Sequence, residues 1–199
     1  MSERPLLVLI GGATGTGKST VAAELAGRLG IETVTCTDSV RQRLRSSYPP
    51  EQMPSIHASS FEAGDVFPDA DDPLAFGFLQ QSRDVLHELR PALASGESLV
   101  LEGVHVVPGL VDAPDGAVVV QCVLAIPDEQ EHERNFHARD AATERPRSRY
   151  LGRFREIRRL HELLVERARQ EGVPVLANDD PERIADVLFE LARKAKEAA

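Results

Sequence analysis

Eight consecutive residues, Gly12-Ala13-Thr14-Gly15-Thr16-Gly17-Lys18-Ser19, combine the types needed to hold a polyphosphate. They match G-x-x-x-x-G-K-[ST] at every fixed position. Glycines let successive backbone N–H groups turn inward around phosphate oxygens. A helix opening at Lys18 would add the positive end of its dipole. Lys18 is then expected to reach the β- and γ-phosphates, and the Ser19 hydroxyl to ligate Mg²⁺, with Thr20 completing the loop. The other lysines are 194 and 196. A chain that uses arginine almost everywhere else keeps a lysine at position 18. The cofactors expected from this loop are ATP and Mg²⁺.

Other residues have the chemistry of an acceptor site. Asp38, in Thr37-Asp38-Ser39, follows a short β-forming stretch. It could orient or deprotonate an acceptor hydroxyl, hold a Mg²⁺ water, or simply cap a helix. Arg41 and Arg45 follow it at i+3 and i+7 on one helical face, where guanidinium forks can bracket an anion or form a surface ion ladder. Glu102, before Gly103, is a second candidate for Mg²⁺ (through water) or for the base. His105 is either a substrate contact or a packed loop histidine. Arg145, Arg147 and Arg149 lie between two helical stretches. Arginines there could close over a triphosphate and exclude water from the transferred group, and Arg147 and Arg149 are the catalytic candidates among them. His132 and His137, five apart, do not share a helix face and suggest no zinc site.

The elements that must carry these residues alternate. Residues 6–10 form a continuous apolar run, as in a buried parallel strand. Further strands are expected at 32–36, 98–101, 117–126 and 173–176. Helices are expected at 18–29, stopped by Gly30; from a Thr37 or Asp38 cap to about 46; at 72–94, with Asp72 as cap and Pro91 bending the last turn; at 128–142; at 150–170; and from Pro181 onward. Residues 47–72 read as a long irregular acceptor-side segment, and 139–155 as a lid. Strand–helix alternation predicts a three-layer α/β sandwich of the P-loop NTPase type, with a five-stranded parallel sheet and an arginine-rich lid, in one domain over 1–199. The site is expected beyond the carboxyl ends of the strands.

Composition removes other classes. The 199 residues are 42% hydrophobic and 28% charged, which excludes collagen, coiled coil and wholesale disorder. No apolar run approaches the length of a membrane span, and two cysteines make no disulfide or metal framework. The cytoplasm is the expected compartment. A net charge of −9 argues against a non-specific nucleic-acid binder. Yet residues 134–169 hold 11 arginines against five acidic residues, either a local anion site or a salt-bridged solvated helix. There is no N/T-K-x-D guanine-reading motif and no long apolar strand ending in Asp-Glu. A kinase of a small anionic metabolite remains. A nucleotide or nucleoside kinase and an ATP-binding regulator without catalysis are the alternatives, the former weakened by the absence of Trp and by only two Tyr and seven Phe.

Residues 11–20, Thr37-Asp-Ser-Val-Arg, Glu102-Gly-Val-His-Val-Val-Pro and Arg147-Ser-Arg-Tyr150, followed by Phe154-Arg155 and Val173-Pro-Val-Leu-Ala-Asn178, resemble the 2-phosphoglycerate kinase family over nearly the whole chain. The resemblance implies ATP-dependent phosphorylation of the 3-hydroxyl of 2-phosphoglycerate, giving 2,3-bisphosphoglycerate. It also places Asn178 on the nucleotide side. Ser59-Ser60 resembles the family's acceptor-side loop, although a serine-rich turn reads the same way. Archaeal members often carry an added N-terminal region. Here the P-loop starts after about ten residues, so a bare kinase core, even one with a different acceptor, is the expectation.

Overall fold

A computed structural model of the chain describes residues 4–138 and 147–199. Five parallel strands lie in the order β2-β3-β1-β4-β5: β1 (Leu6–Gly11), β2 (Val34–Cys36), β3 (Leu99–Glu102), β4 (Val118–Ala125) and β5 (Val175–Ala177). β1 is central and fully buried because its residues alternate between two covered faces. Leu6, Val8 and Ile10 pack under α1 (Lys18–Leu29) and the carboxyl-terminal helix α8 (Pro181–Glu197), against Val21, Leu25, Ile184 and Leu188. Leu7 and Leu9 meet the other layer through Val40 and Leu44 of α2 (Thr37–Ser47) and Val85 and Leu89 of α4 (Pro73–Leu93). On that same side α7 (Phe154–Gln170) covers Val123 and Ala125 with Leu160 and Leu164. This is the expected three-layer sandwich with five parallel strands.

Local expectations fare unevenly. The Asp72 side chain accepts the Ala75 amide at 3.2 Å and starts α4 as read from the sequence. At α2 the N-cap is Cys36, without a side-chain cap bond, so Thr37 and Asp38 sit inside the first turn and their side chains are spent elsewhere. The segment 47–72 is not wholly irregular. It contains the short helix α3 (Pro54–His57) and a 3₁₀ turn at Ser60–Val66. That turn seats tightly on α4, because a Cβ at Gly64 would lie 2.7 Å from the Leu74 amide and one at Gly77 would overlap the Ala63 carbonyl. The single helix expected at 150–170 is two helices, α6 (Arg147–Leu151) and α7, broken at Gly152 and Arg153. α5 (Glu129–Ala138) starts as expected, with Asp128 accepting the Glu131 amide at 2.7 Å. Residues 139–146 of the expected lid, with Arg145, lie outside the described residues, and so does the Arg147 side chain.

Candidate active site

The site gathers at the carboxyl ends of β1, β2 and β3. Between β1 and α1 the glycine loop closes on itself. The Ala13 carbonyl accepts from Lys18 Nζ at 2.8 Å and from the Thr16 hydroxyl at 3.0 Å. The Asn178 amide nitrogen, just past β5, donates to the Thr16 carbonyl at 2.8 Å. Asn178 thus lies against the loop, with its buried Oδ1 left without a partner among the described residues. Gly17 caps α1 in the left-handed region (φ 81°), and a side chain there would run into Asn178.

Sheet register brings a carboxylate to this loop. Glu102 pairs with Ile10 on one side and Cys36 on the other, so it stands at the strand tips beside the start of α1. It is buried, and its Oε1 accepts from the Ser19 hydroxyl at 2.9 Å. Burial and this neighbouring carboxylate push the Cys36 thiol above its ordinary range. A serine hydroxyl and a carboxylate are hard oxygen donors, a set that fits Mg²⁺.

Beside the loop opens a cavity of about 490 Å³, which shares Thr14 with the glycine loop. Asp38, Arg45, Ser59, Ser60 and Arg149 all line it. Thus five residues singled out from the sequence for the acceptor side, counting Arg41, reach one space together with the lid candidate Arg149. Arg149 is itself paired: it donates to Glu62 at 2.5 and 3.3 Å and lies 6.0 Å above the Phe61 ring. That hydrogen bond, ahead of the opposing effect of partial burial, holds the Glu62 carboxyl below its usual range.

Two expectations change in kind. His105 is completely buried and cannot touch a solute. Its Nδ1 accepts from the Thr37 hydroxyl at 3.0 Å, and its Nε2 donates to Gln81 Oε1 at 2.9 Å. The assignment follows from Gln81, whose amide nitrogen is committed to the Ser55 and Ala58 carbonyls at 2.5 and 3.1 Å. Burial lowers the His105 pKa to about 4, so the ring is neutral at physiological pH. Arg41 is also buried, and it donates to the Ile56 and Ala58 carbonyls at 2.9 Å each, with Asp38 at 3.5 Å. Thr37, His105, Gln81 and Arg41 therefore grip the backbone that delivers Ser59 and Ser60. Arg41 borders the cavity but spends its guanidinium mainly on the protein, rather than standing ready as an anion clamp.

The sequence reading missed one wall of the glycine loop. α5 lies against it, with His132 and Asn135 at loop carbonyls and Phe136 under Gly15. Phe136 stacks on Tyr150 (5.4 Å between centroids), and Tyr150 meets Phe61 (5.9 Å), so an aromatic row joins loop to cavity. No local pattern announces contacts across more than a hundred residues.

A glycine loop between a buried strand and a helix, on an all-parallel sheet, defines a P-loop nucleotide-binding domain. The chain matches the family model for an AAA domain over residues 8–140. It belongs to the 2-phosphoglycerate kinase family. It is 37% identical to the 2-phosphoglycerate kinase of Thermococcus kodakarensis over 96% of this chain and 68% of that one. It is 38% identical to the one from Methanopyrus kandleri, over 92% of this chain and 59% of the relative. For Methanocaldococcus jannaschii the figures are 37%, 89% and 60%. The chain thus spans about 60% of the length of several relatives it matches. The fold is shared with shikimate kinase from Acinetobacter baumannii, solved in complex with shikimate (TM-score 0.52, 18% identity, 96% of this chain and 94% of that one). No helix among the described residues is long and apolar enough to cross a membrane.

Proposed function

We propose that the protein transfers the γ-phosphoryl group of ATP to the 3-hydroxyl of 2-phosphoglycerate, giving 2,3-bisphosphoglycerate. The observation that carries this reading is the cavity that shares Thr14 with the glycine loop and brings Asp38, Arg45 and Arg149 together. A hydroxyl held there lies next to the phosphate cradle, and the wall offers a base and cations for a compact anion. Membership of the 2-phosphoglycerate kinase family narrows that anion to a phosphoglycerate.

Bound in the loop, ATP·Mg²⁺ supplies the phosphoryl group. Residues 12–20 and Lys18 hold the polyphosphate, Asn178 flanks it, and Ser19 with Glu102 holds the cation. Asp38, half-exposed at the cavity edge, takes the proton of the acceptor hydroxyl. Arg45 and Arg149 hold the acceptor's phosphate and carboxylate by charge-assisted hydrogen bonds, and Ser59 and Ser60 add neutral donors. Arg147 belongs with Arg149 at the lid end. The protein works in the cytoplasm on this metabolite, without nucleic acid.

The test is kcat/KM for 2-phosphoglycerate beside 3-phosphoglycerate, glycerate, a nucleoside monophosphate and a nucleoside, at fixed ATP and Mg²⁺. A clear preference for 2-phosphoglycerate is expected. Equal use of the others would overturn the acceptor, and no acceptor-stimulated ATP consumption at all would overturn the enzyme.

A further inference from the structure

A polyphosphate nest needs its N–H groups turned inward, so the carbonyls of the same peptide units must turn outward. Where they are buried they need donors of their own. All four carbonyls from Ala13 to Thr16 are satisfied this way, each by a side chain. Ala13 accepts from Lys18 and Thr16, and Thr16 accepts from Asn178. Thr14 accepts from His132 Nε2 at 2.8 Å, and Gly15 from Asn135 Nδ2 at 3.2 Å. When Lys18 turns to a phosphate, the Thr16 hydroxyl still serves Ala13. The Thr14 and Gly15 carbonyls depend on α5.

His132 is completely buried. Arg158 of α7 points Nη1 at His132 Nδ1, 3.2 Å away, while also holding the Ile126 carbonyl at 2.8 Å. A guanidinium only donates, so Nδ1 must accept and Nε2 must carry the proton that goes to Thr14. The rings of Phe136, Phe154 and His161, with centroids 5.5 to 5.7 Å away, fix the imidazole's orientation. Gly15 (φ 90°) rests on the same surface, where a Cβ would lie 2.7 Å from Phe136 and 3.1 Å from His132 Nε2.

We propose that His132, oriented by Arg158 and assisted by Asn135, is a positioning residue for the nucleotide phosphates: it holds the Thr14 carbonyl outward and so keeps the loop amides aimed at the ligand. This rests on the glycine loop being the nucleotide site, but not on the identity of the acceptor.

The experiment uses the full chain and reads Kd for ATP·Mg²⁺ and for inorganic tripolyphosphate, KM for ATP and for the acceptor, and Tm. His132→Phe keeps the ring and its packing but removes the donor. It should weaken ATP and tripolyphosphate alike, by about ten- to a hundred-fold, and leave the acceptor KM unchanged. His132→Gln, whose amide nitrogen can stand near the place of Nε2, should recover most of the affinity. His132→Asn, with the same chemistry but a shorter reach, should not. The proposal is overturned if His132→Phe lowers Tm with phosphate affinity intact, or if ATP and acceptor affinities fall together. Equal Gln and Asn variants would also overturn it, and that comparison stands even if the Phe variant does not fold. Failure of 2-phosphoglycerate as acceptor leaves the Kd comparison standing, whereas a wild-type chain that binds neither polyphosphate overturns both readings.

Discussion

Arg41 and Arg45 have the same side chain on one face of α2 and different work. Arg41 is buried on two backbone carbonyls; Arg45 is exposed on the cavity wall. Arg41→Ala would strand the buried Ile56 carbonyl, at a cost of about 1–3 kcal/mol, while the Ala58 carbonyl keeps the Gln81 amide. The expected result is a Tm several degrees lower, with acceptor binding disturbed only through the displaced Ser59 and Ser60. Arg45→Ala should leave Tm alone and raise the acceptor KM about ten-fold or more, the loss of one charge-assisted contact. Thermal melts and steady-state kinetics on the two variants separate the roles, and matching effects would refute the division. Lys18→Ala should abolish transfer with the fold intact, since the Ala13 carbonyl that Lys18 serves also accepts from Thr16. The placement of the loop, Asp38 and Glu102 was legible in the sequence because each follows or ends a strand. The burial of Arg41 and His105 was not, because it depends on where residues 54–60 return to meet α2 and α4.

At the scale of elements, α6 and α7 are tied to residues 62–72 by opposite charges. Arg149 pairs with Glu62, Arg153 with Asp65 at 2.7 Å, and Arg159 with Asp72 at 3.0 Å. The local excess of arginine seen in the sequence is therefore partly consumed within the protein. These pairs are substantially exposed, and each contributes little to stability. Under the proposed function their effect falls on the acceptor instead. An anion approaching Arg149 must compete with the Glu62 carboxylate and bear its repulsion. Glu62→Gln should therefore lower the KM for an anionic acceptor, and added salt should narrow the gap from wild type. An unchanged or higher KM would mean that Glu62 orients Arg149 rather than competing for it. Strand and helix order was readable from periodicity. The break at Gly152 was not, since the apolar spacing runs on through it, and neither was the docking of the 3₁₀ turn, which depends on Gly64 and Gly77 meeting across α4.

For the whole molecule, acid should act first through buried histidines. His105 and His161 both have pKa values lowered to about 4, chiefly by burial, against 6.5 when unfolded. The unfolded chain takes up these protons first. Their stabilisation is therefore complete above about pH 6.5, declines as pH falls toward 4 and is fully lost below that. For His105 the shift is worth on the order of 3 kcal/mol. Denaturant midpoints should already fall between pH 6.5 and 5, before ordinary carboxylates titrate, and flat midpoints across that interval would contradict the buried neutral rings. The five-stranded parallel sheet was written in the sequence, since the strands are short apolar or β-forming runs and four of the five are followed by a helix. The clamp of α5 on the glycine loop was not, being a contact between positions far apart along the chain. That separation has a consequence in time. Asn178 lies 162 positions after Thr16, and His132 lies 118 after Thr14. At roughly 5–20 residues per second, the ribosome delivers these supports on the order of ten seconds or more after the motif itself. During synthesis the glycine loop is thus complete in sequence but unfinished in shape until Asn178 has been made.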